Sequence, residues 1–328
     1  MKVRYILIIS YGAIAVKHIS IIKRKYKSIK IIVYRSGKGI RKVDKNVDIV
    51  IDSLKESVKY NISEVIICSP SINHLKEIKY FSSLNKKIFV EKPLTNLNTS
   101  NEIISLKNNK KLIFQIGYVL KFDDSLNYFK KLVKDGFVGK ILSVNINASS
   151  YLPDWRNIDY SKSVSANSKL GGGVLLELSH EIDYILWIFD KIKSVFALFN
   201  KSNTLKINTE DSADILLKTN SNYNITVNLN FNQKKNQRFC KVIGSDGEIK
   251  IDLLTKKVST NNYKNNKVKR VTFSQNKKIM YEKQLNYFFN LKSNSSKNIN
   301  SLNSALATQK LLYNIILSNK NKKYILTS

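Results

Sequence analysis

Four ionisable side chains interrupt the apolar stretch GGGVLLELSHEIDYILWIF: Glu177, His180, Glu181 and Asp183. Burying such groups is costly unless they are paired or face a polar cleft. At roughly 100° per residue on one helix, Glu177, His180 and Tyr184 share a stripe and Asp183 borders it. A histidine titrates near neutrality, which suits exchange of a hydroxyl proton, with Glu177 or Asp183 orienting the ring or holding a neighbouring hydroxyl. A core histidine with satisfied hydrogen bonds accounts for the same pattern. The second candidate is Lys92 in the triplet Glu91-Lys92-Pro93. Its ammonium could stabilise charge developing on a reacting oxygen. Pro93 restricts Lys92 to extended backbone and can hold a cis bond, which would fix the side chain's direction. Alone, the triplet is an ordinary turn.

The turn Ser10-Tyr11-Gly12-Ala13-Ile14-Ala15 directly follows an apolar run, Tyr5–Ile9. The dinucleotide fingerprint G-x-G-x-x-G/A uses its first glycine for the tight turn, its second for approach of the pyrophosphate and its third for helix–strand packing. Ser10, Gly12 and Ala15 hold those places, so the middle glycine is kept and the first is replaced. About 20 residues on, NAD-selective turns carry an acid for the ribose 2′-hydroxyl. Here the chain reads Tyr34-Arg35-Ser36-Gly37 with no acid until Asp44. Arg35 and Ser36 could instead hold a 2′-phosphate, so NADP is slightly favoured over NAD.

A third cluster, Tyr151-Leu152-Pro153-Asp154-Trp155-Arg156 with Tyr160 downstream, combines stacking surface with a guanidinium. Such a set suits a sugar or nucleotide, and the guanidinium is best matched to a carboxylate or phosphate. The opposing reading is a structural corner in which Arg156 pairs with Asp154 or Asp159.

The elements that must position these residues change character along the chain. In the first third, apolar strands at Tyr5–Ile9, Ile29–Tyr34, Val47–Ile51, Val65–Cys68, Lys87–Val90 and Leu112–Ile116 alternate with helical stretches such as Ile14–Tyr26 and Ile72–Leu84. That alternation predicts a doubly wound parallel α/β sheet. After Lys121 come a helix at Asp124–Lys134, a strand at Ile141–Ala148, one helix over Val174–Phe189 and then period-two strands. In Asn224–Asn232 the apolar set Ile225, Val227, Leu229 and Phe231 alternates with asparagines and a threonine, as in an antiparallel strand with one wet face. Gly244–Gly247 reads as a hairpin turn, Lys256–Lys267 and Ser293–Ser301 as polar loops, and Ser304–Ser318 as a final helix. The expected organisation is a Rossmann domain over 1–121 and an α/β domain with an open, mainly antiparallel sheet over 122–328.

The net charge of +32 comes from 56 Lys and Arg against 24 Asp and Glu. The excess is spread along the whole chain with abundant Asn and Ile, as a solvated surface rather than a patch, so nucleic acid is not expected as the main partner. Cys68 and Cys240 lie far apart without a C-x-x-C and read as buried thiols of a reducing, cytoplasmic protein. Three histidines without metal-ligand spacing give no zinc site. No stretch is long enough for a membrane span, and the first residues lack a signal-peptide core.

Taken in order, the glycine turn, ICSPSINHL, FVEKPLT, IGYVLKF and GGGVLLELSHEID resemble the glucose–fructose oxidoreductase and inositol dehydrogenase family (Gfo/Idh/MocA) over essentially the whole chain. The resemblance implies an NAD or NADP oxidoreductase acting on sugars, polyols or sugar nucleotides, with Lys92 and His180 catalytic. It adds Ser69, Pro70, His74 and Glu91 to the cofactor-binding set of Ser10, Gly12, Ala13, Ile14, Ala15, Arg35, Ser36 and Lys92. Tyr151, Trp155, Arg156 and Tyr160 resemble the substrate loop of members in surface-sugar pathways. The family also commonly pairs flat polar sheets between subunits, which implies a homo-oligomer through the second domain. Two positions depart from it: Ser10, and Leu176 where the family usually has an Asp four residues before its histidine. A non-catalytic ligand sensor and a redox-neutral hydrolase or lyase remain as alternatives.

Overall fold

The computed structural model describes residues 3–37, 42–96, 104–109, 111–155, 157, 159–292 and 298–327. It divides into two compact units, Met1–Val119 with Lys277–Leu306, and Leu120–Asn276 with Ala307–Ser328. The chain therefore re-enters the first unit near its end, which differs from the contiguous 1–121 and 122–328 division expected from the sequence.

The first unit is built on β1 (Tyr5–Ile9), β2 (Lys30–Tyr34), β3 (Ile49–Ile51), β4 (Ile62–Ile67), β5 (Lys87–Val90) and β6 (Phe114–Ile116). The strands are parallel in the order β3-β2-β1-β4-β5-β6. Their apolar runs are continuous because both faces are covered. Helix α1 (Ala13–Lys25) buries Ala15, Ile19 and Ile22 against Ile6, Ile8 and Phe89, with Leu285 and Phe288 from the later helix Lys277–Asn290 completing that layer. On the other face, Ile78 and Phe81 of α2 (Ser71–Ser83) pack with Leu7, Ile67 and Val90. Leu302, Ala305 and Leu306 join them. In this order the direction of winding reverses between β1 and β4, so their carboxyl ends open onto a crevice suited to a ligand.

The second unit contains α3 (Asp124–Lys134), β7 (Ile141–Tyr151), α4 (Val174–Glu177), α5 (His180–Ile188), β8 (Ile192–Asn200), β9 (Ser212–Thr219) and β10 (Asn224–Asn230). It continues with β11 (Asn232–Gly244), β12 (Gly247–Asp252), β13 (Lys257–Asn262), β14 (Lys267–Thr272) and β15 (Ile325–Leu326). The sheet order is β14-β13-β12-β11-β7-β10-β9-β8-β15. It is mixed: β10 runs antiparallel to β9 and parallel to β7. Ile225, Val227, Leu229 and Phe231 are all buried, as the alternation requires. On the opposite face Asn145 donates to Thr226, Asn147 to Asn228, and Asn228 to Asp214, a polar ladder across three strands.

Two further expectations change. Lys256–Lys267 is not a loop throughout, because β13 and β14 pair as a hairpin in which β13 buries Val258 and Thr260 while β14 is mostly exposed to water. The helix over Val174–Phe189 is broken at Leu178 and Ser179, where Glu181 N–H bonds back three residues to Leu178 instead of four. His180 thus begins a helix instead of lying within one.

Candidate functional site

In the first unit, the β1–α1 turn is shaped by two residues. Ser10 takes φ +75°, the left-handed region that a glycine enters at no steric cost. Gly12 stands at the N-cap of α1 with extended backbone (φ −83°), no side-chain cap and no acid in the first turn. Uncapped first-turn amides with the positive end of the helix dipole suit an anionic group. A Cβ on Gly12 would meet nothing within 4 Å. Neither backbone geometry nor packing of the chain demands glycine there.

That turn opens onto a cavity of about 730 Å³. Ser10 and Gly12 line it from β1, Arg35 and Ser36 from β2, and Ser69 and Pro70 from β4. These six belong to the expected cofactor set. The sequence reading missed Tyr11, Asp52, Lys55, Asn73, Lys76, Glu77 and Tyr80, which also line it. Asp52 and Lys55 follow the end of β3, a signal that strand position alone carries. Glu77 accepts from Ser69 Oγ at 2.5 Å, and burial pushes its carboxyl up to about 7.

Behind this wall lies the triplet. Lys92–Pro93 is cis. His74 is 1% exposed and bonds Pro93 O and Ser69 O, each at 2.9 Å, and burial lowers its pKa. It ties the β4 turn to the triplet and does not line the cavity, nor do Ala13, Ile14, Ala15, Glu91 or Lys92. Glu91 is buried against His18 of α1 at 2.7 Å.

In the second unit the four ionisable residues separate into pairs. Glu181 is 0% exposed and held by Arg238 of β11 through Nε and Nη2, at 2.7 and 2.9 Å. Asp183 is 2% exposed and bonds Lys121 at 2.9 Å and Thr308 at 3.2 Å. Burial pushes its carboxyl up while Lys121 opposes the shift. Both carboxylates anchor α5. Glu177 and His180 are half-buried, at the end of α4 and the start of α5. Lys121 and Arg238 escaped the sequence reading. A lysine inside the apolar run Val119–Phe122 was the available signal for the first.

The glycines before α4 are enforced by the protein itself. A Cβ on Gly172 would overlap the carbonyl oxygens of Val164, Ser165 and Asn167. Gly173 has φ +115° and lies against the Glu210 carboxylate, which accepts from Leu175 N–H at 3.2 Å. Of the aromatic loop, Trp155 donates to Ser150 Oγ at 2.9 Å and packs edge-on to Phe231, and the Tyr160 hydroxyl accepts from Lys206 N–H. Tyr151 is half-buried at the end of β7. Arg156 lies outside the described residues. Cys68 and Cys240 are buried and free. Among the described residues no metal-holding cluster of His, Cys, Asp and Glu occurs, and no helix is long and apolar enough to cross a membrane.

A parallel sheet in this order with an uncapped glycine turn, joined to an open mixed sheet, defines a two-unit, dinucleotide-binding type of protein. The chain belongs to the GFO/IDH/MocA oxidoreductases: the model of the NAD-binding Rossmann fold matches residues 4–118, and that of the GFO/IDH/MocA C-terminal domain matches residues 126–250. It is 26% identical over 191 residues to the inositol 2-dehydrogenase of Salmonella typhimurium, covering 57% of this chain and 54% of that protein. The chain thus spans about half the length of that curated relative. Scyllo-inositol dehydrogenase from Lactobacillus casei, solved with NAD(H) and scyllo-inositol, has a TM-score of 0.76 at 21% identity, covering 100% and 99% of the two chains. The WlbA dehydrogenase of Bordetella pertussis, solved with NADH and UDP-GlcNAcA, has a TM-score of 0.77 at 15% identity, covering 99% of each. At these identities the solved structures bear on fold alone.

Proposed function

We propose that this chain is an NAD(P)-dependent dehydrogenase or reductase acting on a sugar-type alcohol or ketone. The observation that carries the proposal is Gly12: a missing side chain beside a large cavity, at a helix end suited to phosphate, where the chain itself has no use for the space. A bound nicotinamide supplies the hydride chemistry that no side chain can. Gly12 and the uncapped amino end of α1 hold the pyrophosphate, and Arg35 with Ser36 favours NADP over NAD. Lys92 hydrogen-bonds the reacting oxygen, His180 exchanges its proton, and Glu177 holds the ring or a neighbouring hydroxyl. Asp183, already paired with Lys121, supports α5.

The substrate is an anionic sugar, such as a sugar acid or a nucleotide-linked sugar, met by Arg156 and the rings of Tyr151 and Tyr160. Trp155, with its indole N–H and one edge already engaged, contributes shape. A homo-oligomer forms through the polar ladder of the second sheet, a face that tolerates a wet interface. Two buried free thiols fit a cytoplasmic setting.

Titration of the protein with NADPH and NADH, read by nucleotide fluorescence, tests the cofactor assignment. Saturable binding is expected, tighter for NADPH, with Arg35→Asp weakening NADPH selectively. No binding of either nucleotide overturns the proposal. With a substrate found by metabolite screening, Lys92→Ala and His180→Ala should each lower turnover by roughly a hundred- to ten-thousand-fold. Near-normal turnover in His180→Ala leaves that residue a core histidine.

A further inference from the structure

Glu91 has three neighbours that no binding role requires. His18, on the second turn of α1, is 0% exposed and donates Nε2–H to Glu91 Oε1 at 2.7 Å. Its ring stands edge-on between Phe89 of β5 and Tyr281, with centroids 5.3 and 5.9 Å away. The other carboxylate oxygen, Oε2, accepts from Lys92 N–H at 3.3 Å. On the far side Gly117 leaves no room: a Cβ there would lie 2.8 Å from Oε2 and 3.1 Å from Glu91 Cα. The carboxylate is therefore gripped by an imidazole from α1, aimed at the backbone of Lys92, and pressed from behind by the exit of β6. Hydrogen bonds to a buried charged group are among the stronger ones, and removal of one partner leaves that charge unsatisfied.

We infer that His18 is a positioning residue, which through Glu91 fixes the backbone of Lys92 relative to the helix whose N-cap, Gly12, lines the cofactor cavity. The inference rests on the proposed role of Lys92. A direct contact of His18 with cofactor does not fit, because its ring has no exposure. A core histidine kept only for volume does not fit either, since an aliphatic side chain fills space without a buried carboxylate to satisfy. The N–H donor is thus the feature that matters, and it can be removed while the volume is kept.

The test uses the full chain without added nucleotide, followed by hydrogen–deuterium exchange with peptide resolution. His18→Met keeps bulk beside Phe89 and Tyr281 but removes the donor. His18→Gln restores an N–H near the position of Nε2. The peptide spanning residues 89–96 should exchange roughly tenfold faster in His18→Met, while peptides from β9 and β10 stay unchanged. In His18→Gln the rate should return most of the way. With substrate, His18→Met should lower kcat by roughly tenfold or more, leave the KM for cofactor within about twofold, and again be rescued by Gln. Unchanged exchange at 89–96, equal acceleration everywhere, or a Gln variant no better than Met overturns the inference. If exchange behaves as expected but Lys92→Ala turns over normally, His18 still positions the triplet and the assigned role of Lys92 is what fails.

Discussion

Gly12 and Gly172 lack a side chain for opposite reasons. At Gly172 the surrounding carbonyl oxygens occupy the volume a Cβ would need, so the residue is dictated by the protein. At Gly12 the same volume is open and the backbone is ordinary, so nothing in the protein itself dictates the residue, as the proposed cofactor role requires. The contrast separates glycines that fold a chain from glycines that serve it. In sequence both stand in glycine-marked turns before a helix, and only the space around them tells them apart.

The largest effect expected from this contrast is on Gly172. Gly172→Ala must push against fixed backbone and should cost roughly 3 kcal/mol or more, a fall in Tm of about 10 °C. Thermal unfolding within about 2 °C of wild type would place Gly172 with Gly12.

Next comes the cost the cavity itself imposes. Glu77 has a carboxyl pushed from 4.5 up to about 7 by burial. The folded state then holds a proton that the unfolded chain gives up. Its contribution is intact below about pH 4.5 and is lost as pH rises to about 7, amounting to at most roughly 3.5 kcal/mol. Denaturant unfolding of wild type and Glu77→Gln from pH 4.5 to 8 measures it: the difference between them should grow in favour of Gln and level off near neutrality. A constant difference would remove Glu77 from the account.

Gly12→Ala should behave in reverse to Gly172→Ala. Tm should hold within about 2 °C, while on the proposed reading the Kd for nucleotide rises roughly tenfold or more because the methyl occupies the pyrophosphate's place. Loss of stability with unchanged nucleotide affinity would collapse the distinction between the two glycines.

The smallest effect belongs to Ser10. Its φ of +75° costs a non-glycine residue about 1–2 kcal/mol, whereas glycine adds about 0.5–1 kcal/mol of unfolded-state entropy. Ser10→Gly should therefore gain roughly half a kcal/mol in denaturant unfolding, with nucleotide binding kept. A destabilised Ser10→Gly would show that the hydroxyl makes up for the strain.

How much of this was legible in sequence follows the same division. The first sheet was readable because strands buried on both faces are continuous apolar runs; strand ends pointed to Ser10, Arg35 and Ser36, and the family resemblance to Ser69 and Pro70, all of which line the cavity. Strands β13 and β14 were not: β14 is exposed along most of its length, and the buried face of β13 carries Val258 and Thr260, too few apolar residues to make a period. The break at Leu178–Ser179 has no glycine or proline to announce it. Asp183 read as a candidate supporting acid because its partner, Lys121, is distant in sequence, and Arg238, the partner of Glu181, was equally hidden. His74 acquires meaning from the nearby Ser69 carbonyl together with the more distant Pro93 carbonyl, and His18 from a carboxylate far along the chain.

The late return of Lys277–Leu306 to the first unit has a consequence for synthesis on the ribosome. The nascent amino-terminal sheet emerges with one face lacking Leu285 and Phe288 and the other lacking Leu302 and Leu306. Roughly 170–190 residues must be translated before those side chains arrive, which at roughly 5–20 residues per second is a wait of about 8–38 s. During that interval the half-made unit is a client for chaperones, and a fragment ending at residue 121 is a permanent version of the same intermediate.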